Sequence, residues 1–250
     1  MILCVLKYKS LKMKLDILAF GAHPDDVELS CSGTIAKEVS LGKKVGIIDL
    51  TRGELGTRGS VEIRNIESAK ASAILGVLVR ENLDMRDGFF INDEAHQLRV
   101  IEIIRKYQPE IVLCNAIADR HIDHGKGSKL VSDACFLSGL REIKTEINGE
   151  AQEAWRPKVV YHYIQWQNIE PDFVVDISEF IDKKMESVLA YSSQFYDSKS
   201  NEPVTPITSK NFLDSVKYRA QDLGRLVGVD YAEGFTTERY LAVNSLADLK

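Results

Sequence analysis

Cysteine is scarce in this 250-residue chain: there are four, Cys4, Cys31, Cys114 and Cys135, and no two form a CxxC pair. That argues against a cysteine-based zinc ribbon, and three of the four lie in apolar stretches where a small buried thiol suffices. They read as the reduced cysteines of a cytoplasmic protein. Proline is also sparse, at 6, and with 44% hydrophobic and 28% charged residues the chain is neither disordered nor collagen-like. No apolar run approaches the roughly 20 residues of a membrane span, so no membrane crossing is expected. Neither sign of charge is gathered into a run: 32 Lys and Arg stand against 37 Asp and Glu, net −5, and no nucleic-acid partner is expected. GxGxxG and Walker patterns are missing as well from the loop after the first apolar run, where a nucleotide-binding fold would carry a glycine-rich turn.

The length suits one large domain or two small ones, and no repeat or linker divides it. Residues Met1 to Leu6 are apolar, but Lys7, Lys9, Lys12 and Lys14 follow them where a signal peptide would carry its cleavage site. Residues 1–12 therefore read as an N-terminal extension and residues 13–250 as a single domain.

Short apolar runs alternate with helical spacing along that domain. Leu15 to Gly21 suits a strand buried on both faces, Val27 to Leu41 a helix stopped at Gly42, and Val45 to Thr51 a second strand. A loop with Gly53, Gly56 and Gly59 leads to a helix over Val61 to Leu75, stopped by Gly76. Helices are expected at Glu94–Tyr107, from about Lys126 to Ile143, at Ser178–Ser193 and at Asn211–Gly228. Further strands are expected at Glu110–Asn115, Val159–Ile164, Phe173–Ile177 and Arg239–Val243, with polar loops at Ile143–Pro157 and Asp197–Ser209. Strands joined by helices imply an α/β fold: a Rossmann-like, doubly wound, mostly parallel sheet flanked by helices.

In such sheets ligands gather at the carboxyl ends of the strands. The first strand is followed by His23-Pro24-Asp25-Asp26, and a later strand by Arg120-His121-Ile122-Asp123-His124, so three of the five histidines fall in two strand-end loops. His23 and Asp26, three residues apart on a turn entering a helix, can hold one cation between them, with Asp25 beside it. Two imidazoles and a carboxylate are the ligand set of an open catalytic zinc site. Taken singly, each loop also fits a helix N-cap or a surface ion pair; together they favour a metal or acid/base site. His96 and His162 read as structural.

These sequences resemble the PIG-L (LmbE-like) family of zinc-dependent N-acetylglucosaminyl deacetylases, with AHPDD after the first strand and HIDH in the later loop. TRGELGTRGS at Thr51–Ser60, Arg64 with Glu67, SSQF at Ser192–Phe195 and YAEGF at Tyr231–Phe235 resemble its bacillithiol-biosynthesis branch. The resemblance runs from Met13 nearly to the end of the chain. It implies one Zn²⁺ per chain held by His23, Asp26 and His124, Asp25 as general base and His121 beside the reacting carbonyl. Asp123 is expected to orient His121 or His124. The branch's substrate, N-acetylglucosamine joined to malate, carries two carboxylates, for which Arg64 and Arg120 are the candidate partners; an ion pair of Arg64 with Glu67 is the competing assignment. The chain departs from relatives at Val27, where other branches carry an acid, and at Asp119, where some place a tyrosine that assists the oxyanion. Relatives are often trimers or hexamers, so a homo-oligomer is implied. The alternatives are deacetylation of another N-acetylglucosamine conjugate (a chitin oligomer or a glycolipid head group), a catalytically silent sugar-binding protein, and a two-metal phosphoesterase.

Overall fold

Ile17–Gly21 forms strand β1 and is buried at all five positions, as its unbroken apolar run requires. In the computed structural model, which describes residues 13–196 and 201–248, the next elements are α1 (Asp26–Ser40), β2 (Val45–Thr51), α2 (Val61–Leu75), β3 (Val79–Met85), α3 (Glu94–Tyr107) and β4 (Ile111–Cys114). Then come α4 (Ile122–Leu137), the short hairpin β5 (Glu146–Ile147) and β6 (Glu150–Ala151), β7 (Val159–Tyr163), β8 (Phe173–Asp176), α5 (Ile181–Leu189), α6 (Lys210–Leu226) and β9 (Ala232–Thr237).

One seven-stranded sheet runs in the order β3-β2-β1-β4-β7-β9-β8. The first five strands are parallel, and β9 then pairs antiparallel with both β7 and β8. Alternation along β1 and β2 divides the core between the two faces of the sheet. Leu18, Phe20, Ile48 and Leu50 pack with Ile101 and Ile104 of α3 and Leu130 and Val131 of α4. Ile17, Ala19, Val45 and Ile47 pack with Val27, Ile35 and Ala36 of α1. This is the doubly wound arrangement that the alternation of elements predicts. Among the described residues no helix is long and apolar enough to cross a membrane.

Local chemistry sets the helix ends. Ser60 Oγ caps α2 at the Ile63 amide, and Gly76 at φ 74° ends it. Asp93 caps α3 at the His96 amide, and α3 stops before Pro109. α4 begins at Ile122, ahead of the expected Lys126, and ends at Leu137; the expected helix over Ser178–Ser193 is a single 3-10 turn, Ser178–Phe180, followed by α5.

Two strands depart from expectation. β3 was not anticipated, because Val79–Met85 is an edge strand whose charged residues break any apolar run, with Arg80 folded inward onto Asp49. The last strand is Ala232–Thr237 rather than Arg239–Val243, since Glu233 is neutralised internally by Lys184 while Tyr240 to Val243 lie exposed. The expected extension over residues 1–12, Cys4, and residues 197–200 of the second polar loop lie outside the described residues.

β2 and β4 flank β1 on opposite sides, so the chain order reverses there and the loops leaving β1 and β4 open toward one crevice.

Candidate metal centre

The turn leaving β1 carries His23 and Asp25 to the start of α1. Asp25 holds φ 112° and ψ −21°, makes no side-chain cap bond, and lines a cavity of about 470 Å³ at the crevice. A non-glycine residue in that backbone region is strained, a cost usually retained where the position of a side chain matters. The helix-cap explanation of this carboxylate is therefore excluded. Asp26, by contrast, is gripped: Oδ2 accepts from the His23 amide at 3.0 Å and Asn115 Nδ2 at 2.9 Å, and Oδ1 from Gln165 Nε2 at 3.1 Å.

The loop after β4 brings His121 and His124 against this turn, with ring centroids 4.6 Å and 5.7 Å from that of His23. Ring nitrogens of the three histidines lie within 4.8 Å of one another. Asp26 sits between two of them, its Oδ1 3.1 Å from His124 Nε2 and its Oδ2 3.6 Å from His23 Nδ1.

On the side away from Asp26, each of these two imidazoles meets a carboxylate. His124 Nδ1 donates to Asp119 Oδ2 at 2.5 Å, and His23 Nε2 donates to Asp87 Oδ1 at 3.0 Å, with Asp123 Oδ2 at 3.5 Å. A proton held on the outer nitrogen would leave the inner nitrogen free to coordinate once a cation displaces its proton, the arrangement that prepares histidine as a metal ligand. Burial alone would lower both imidazole pKa values, yet the surrounding carboxylates raise His23 well above the usual range and His124 to about 9. The cluster thus draws in positive charge: the three imidazoles, and His23 with Asp87 and Asp123, are groups that could hold a cation, and Asp26 lies between His23 and His124.

Asp25 is also perturbed. Burial pushes it up to about 7, with Asp26 adding to the shift and Arg64 opposing it. His121 moves down, because of burial and then the neighbouring His23 and His124. Its Nδ1 accepts from the Asp123 amide at 3.3 Å, so the neutral ring carries its proton on Nε2.

Asp123 departs from its expected role. Its carboxylate is fully buried, faces His23, and accepts from the Gly88 amide at 2.7 Å and Lys126 Nζ at 3.0 Å. It touches His121 only through its backbone N–H; Asp119 is the partner of His124. The expected substrate residues do line the cavity. Arg64 donates to Gln194 Oε1 rather than pairing with Glu67, which accepts instead from Ser192 and Ser193. Arg120 lies over the Trp166 ring at 4.6 Å. His96 pairs with its own helix cap, Asp93, and His162 is buried among Ser128, Cys114 and Glu238.

Asp87, Gln165 and Arg219 at the cavity, and Asn115 behind Asp26, escaped sequence reasoning. Asp87 and Gln165 each lie two residues beyond a parallel strand, β3 and β7, so reading every strand-end loop rather than two would have found them.

Residues 18–135, which include both loops, match the family described as PIG-L, GlcNAc-PI de-N-acetylase. Diacetylchitobiose deacetylase of Thermococcus kodakarensis is 30% identical over 190 residues, 72% of this chain and 70% of that protein. The chain belongs to the PIG-L family. Another relative of this PIG-L protein, 4-oxalmesaconate hydratase of Pseudomonas putida, is 26% identical over 192 residues, 71% of this chain and 73% of that one. The fold agrees: the crystal structure of the conserved protein TT1542 from Thermus thermophilus superposes with a TM-score of 0.82 at 37% identity, covering 92% of this chain and 98% of that one.

Proposed function

We propose that this protein is a zinc-dependent amidohydrolase that removes the acetyl group from an N-acetylglucosaminide, with N-acetylglucosaminyl-malate of bacillithiol biosynthesis as its substrate. The observation that carries the reading is the pair of carboxylate-backed imidazoles, His23 on Asp87 and His124 on Asp119, converging on Asp26 beside a cavity that Asp25 and His121 also line. Membership of the PIG-L family and the deacetylase relative support the bond that is cleaved.

Zinc held by His23, Asp26 and His124 would polarise the acetamide carbonyl and acidify a water toward a pKa of about 7. Asp25, raised to about 7 by burial, is matched to accept the proton of the attacking water and return it to the departing amine. His121 stays neutral and offers Nε2–H to the developing oxyanion, a contact typically worth about 3 kcal/mol. Asn115 and Gln165 hold the Asp26 oxygens in place while charge moves around them.

The aglycone follows from the arginines. Arg64, Arg120 and Arg219 line the cavity, and none forms a salt bridge among the described residues. Burial lowers the pKa of Arg219, with Asp119 opposing, so its charge is held in the cavity at a cost. Arg64 and Arg219 feel Asp25 and Asp119 at a distance, but guanidinium groups with no carboxylate in direct contact suit a substrate that brings its own. A chitin disaccharide is the second reading, favoured by the Thermococcus kodakarensis relative.

Amine release from N-acetylglucosaminyl-malate, diacetylchitobiose and free N-acetylglucosamine, with and without chelator, tests both readings. Chelator-sensitive turnover with the malate conjugate fastest is expected. Preference for the disaccharide would reverse the aglycone assignment, and turnover of none by zinc-loaded protein would remove both aglycone readings and point to another conjugate or to a sugar-binding protein.

A further inference from the structure

Helix α1 breaks one turn after Asp25 and Asp26. Cys31 sits at φ −137° and ψ 16° within Asp26–Ser40, and four main-chain groups around it are taken by side chains. The amides of Gly33 and Thr34 donate to the two carboxylate oxygens of Glu233, at 3.0 and 2.7 Å. The carbonyls of Leu29 and Glu28 accept from Lys184 Nζ, at 2.8 and 3.3 Å. An ion pair of 2.7 Å between Lys184 and Glu233, 2% and 3% exposed, closes the circuit.

The two side chains stand in for rungs of the helix, the lysine serving carbonyls before the break and the glutamate serving amides after it. Both are saturated. Lys184 spends its three protons on Glu28, Leu29 and Glu233; Glu233 receives Gly33, Thr34 N, Thr34 Oγ1 and Lys184 on its four lone-pair positions. Although both line the cavity, neither has a bond left for a ligand. Gly33 makes the approach possible, since a Cβ there would lie 2.6 Å from Ile177 Cδ1 and 3.1 Å from Glu233 Oε1.

Stability is a poor explanation for this circuit. Desolvating two charges is costly, and apolar replacements of a buried pair are often neutral or stabilising. An unbroken helix would satisfy the same main-chain groups with no charge at all. What the break provides is direction: the short turn Asp26–Ser30 takes an angle independent of the remainder of α1, and it carries Asp25 and Asp26 at its head. We propose that the Lys184–Glu233 pair is a positioning device for the metal centre, fixing the tilt of this turn so that Asp26 meets His23 and His124 while Asp25 faces the cavity.

This inference rests on the metal-centre reading, but its readout is zinc affinity, so it can be decided whichever amide or conjugate is the substrate. Full-length Lys184→Met and Glu233→Gln proteins, stripped of metal, are titrated with zinc against a chromophoric chelator, and the melting temperature of each metal-free form is recorded. The expected result is at least a tenfold loss of zinc affinity, with kcat reduced and KM unchanged on any acetylated substrate that the parent protein turns over. Thr34→Val removes only the 2.6 Å hydroxyl bond to Glu233; it should weaken zinc binding by a smaller factor and serves if the charged variants do not fold. Zinc affinity and kcat within twofold of the parent in the folded variants, whatever the melting temperature, would overturn the proposal and leave the pair a purely structural role. A parent protein that binds no zinc would overturn the metal-centre reading itself, an outcome distinct from failure of the positioning role.

Discussion

Asp25 and His124 face the same cavity but differ in what holds them, and that difference separates their roles. His124 is clamped between Asp119 and Asp26, whereas Asp25 sits in a strained backbone conformation with no cap bond. Asp25→Ala should therefore keep the metal and lose turnover by about 100- to 10,000-fold, the usual range for a positioned general base. His124→Ala should lose both. Metal analysis of the two purified variants alongside the assay checks this, and loss of metal from Asp25→Ala would make Asp25 a ligand instead of a base. The residues at the centre of this chemistry were legible because His and Asp in two strand-end loops are a rare coincidence of types. Their supports were not: Asn115 and Gln165 are ordinary amides in the sequence, and only the fold brings them to the Asp26 oxygens. Asp123 was misassigned for a related reason, since proximity along the chain pointed to His121 and His124 while its carboxylate turns toward His23 across the crevice.

At the scale of elements, strands and helices with one dominant pattern were readable from the sequence, and mixed ones were not. β1 and β2 are unbroken apolar runs and α3 carries both of its end signals, so their positions follow from periodicity and capping. β3 lies at the sheet edge with three of its seven residues charged, and no local signal marks it. The glycine loop between β2 and α2 is intermediate: its glycines were evident, but not what they make room for. Gly53, at φ 64°, would place a Cβ 2.2 Å from Arg64 Nη1, so the loop closes directly over the buried guanidinium that Gln194 holds. Gly53→Ala should displace Arg64 and, because of the positive φ, cost about 1 kcal/mol of stability. On the malate conjugate we expect KM to rise with zinc affinity unchanged, whereas an unaltered KM would separate this loop from substrate binding.

Across the whole molecule the charge is close to balanced, yet the fold concentrates one sign at a single place. Asp25, Asp26, Asp87, Asp119 and Asp123 meet around His23 and His124 at the carboxyl ends of the central strands, in a chain whose net charge is only −5. Composition counts these acids but cannot place them, which is why the sequence as a whole looked unremarkable in charge. Folding without a cation leaves them opposed by protonated imidazoles and by Arg64; a divalent ion held at the assembled site would supply the missing charge. Such a ligand stabilises the native state by about 4 kcal/mol at a free concentration 1,000 times its Kd. For a domain of this size each kcal/mol raises the melting temperature by roughly 2–4 °C. Removing the metal with a chelator should therefore lower the melting temperature by about 8–16 °C, and zinc added back in excess of the chelator should restore it. Calorimetry on the stripped and reconstituted protein measures both steps, and a melting temperature indifferent to metal would mean that the carboxylates are balanced by protons alone.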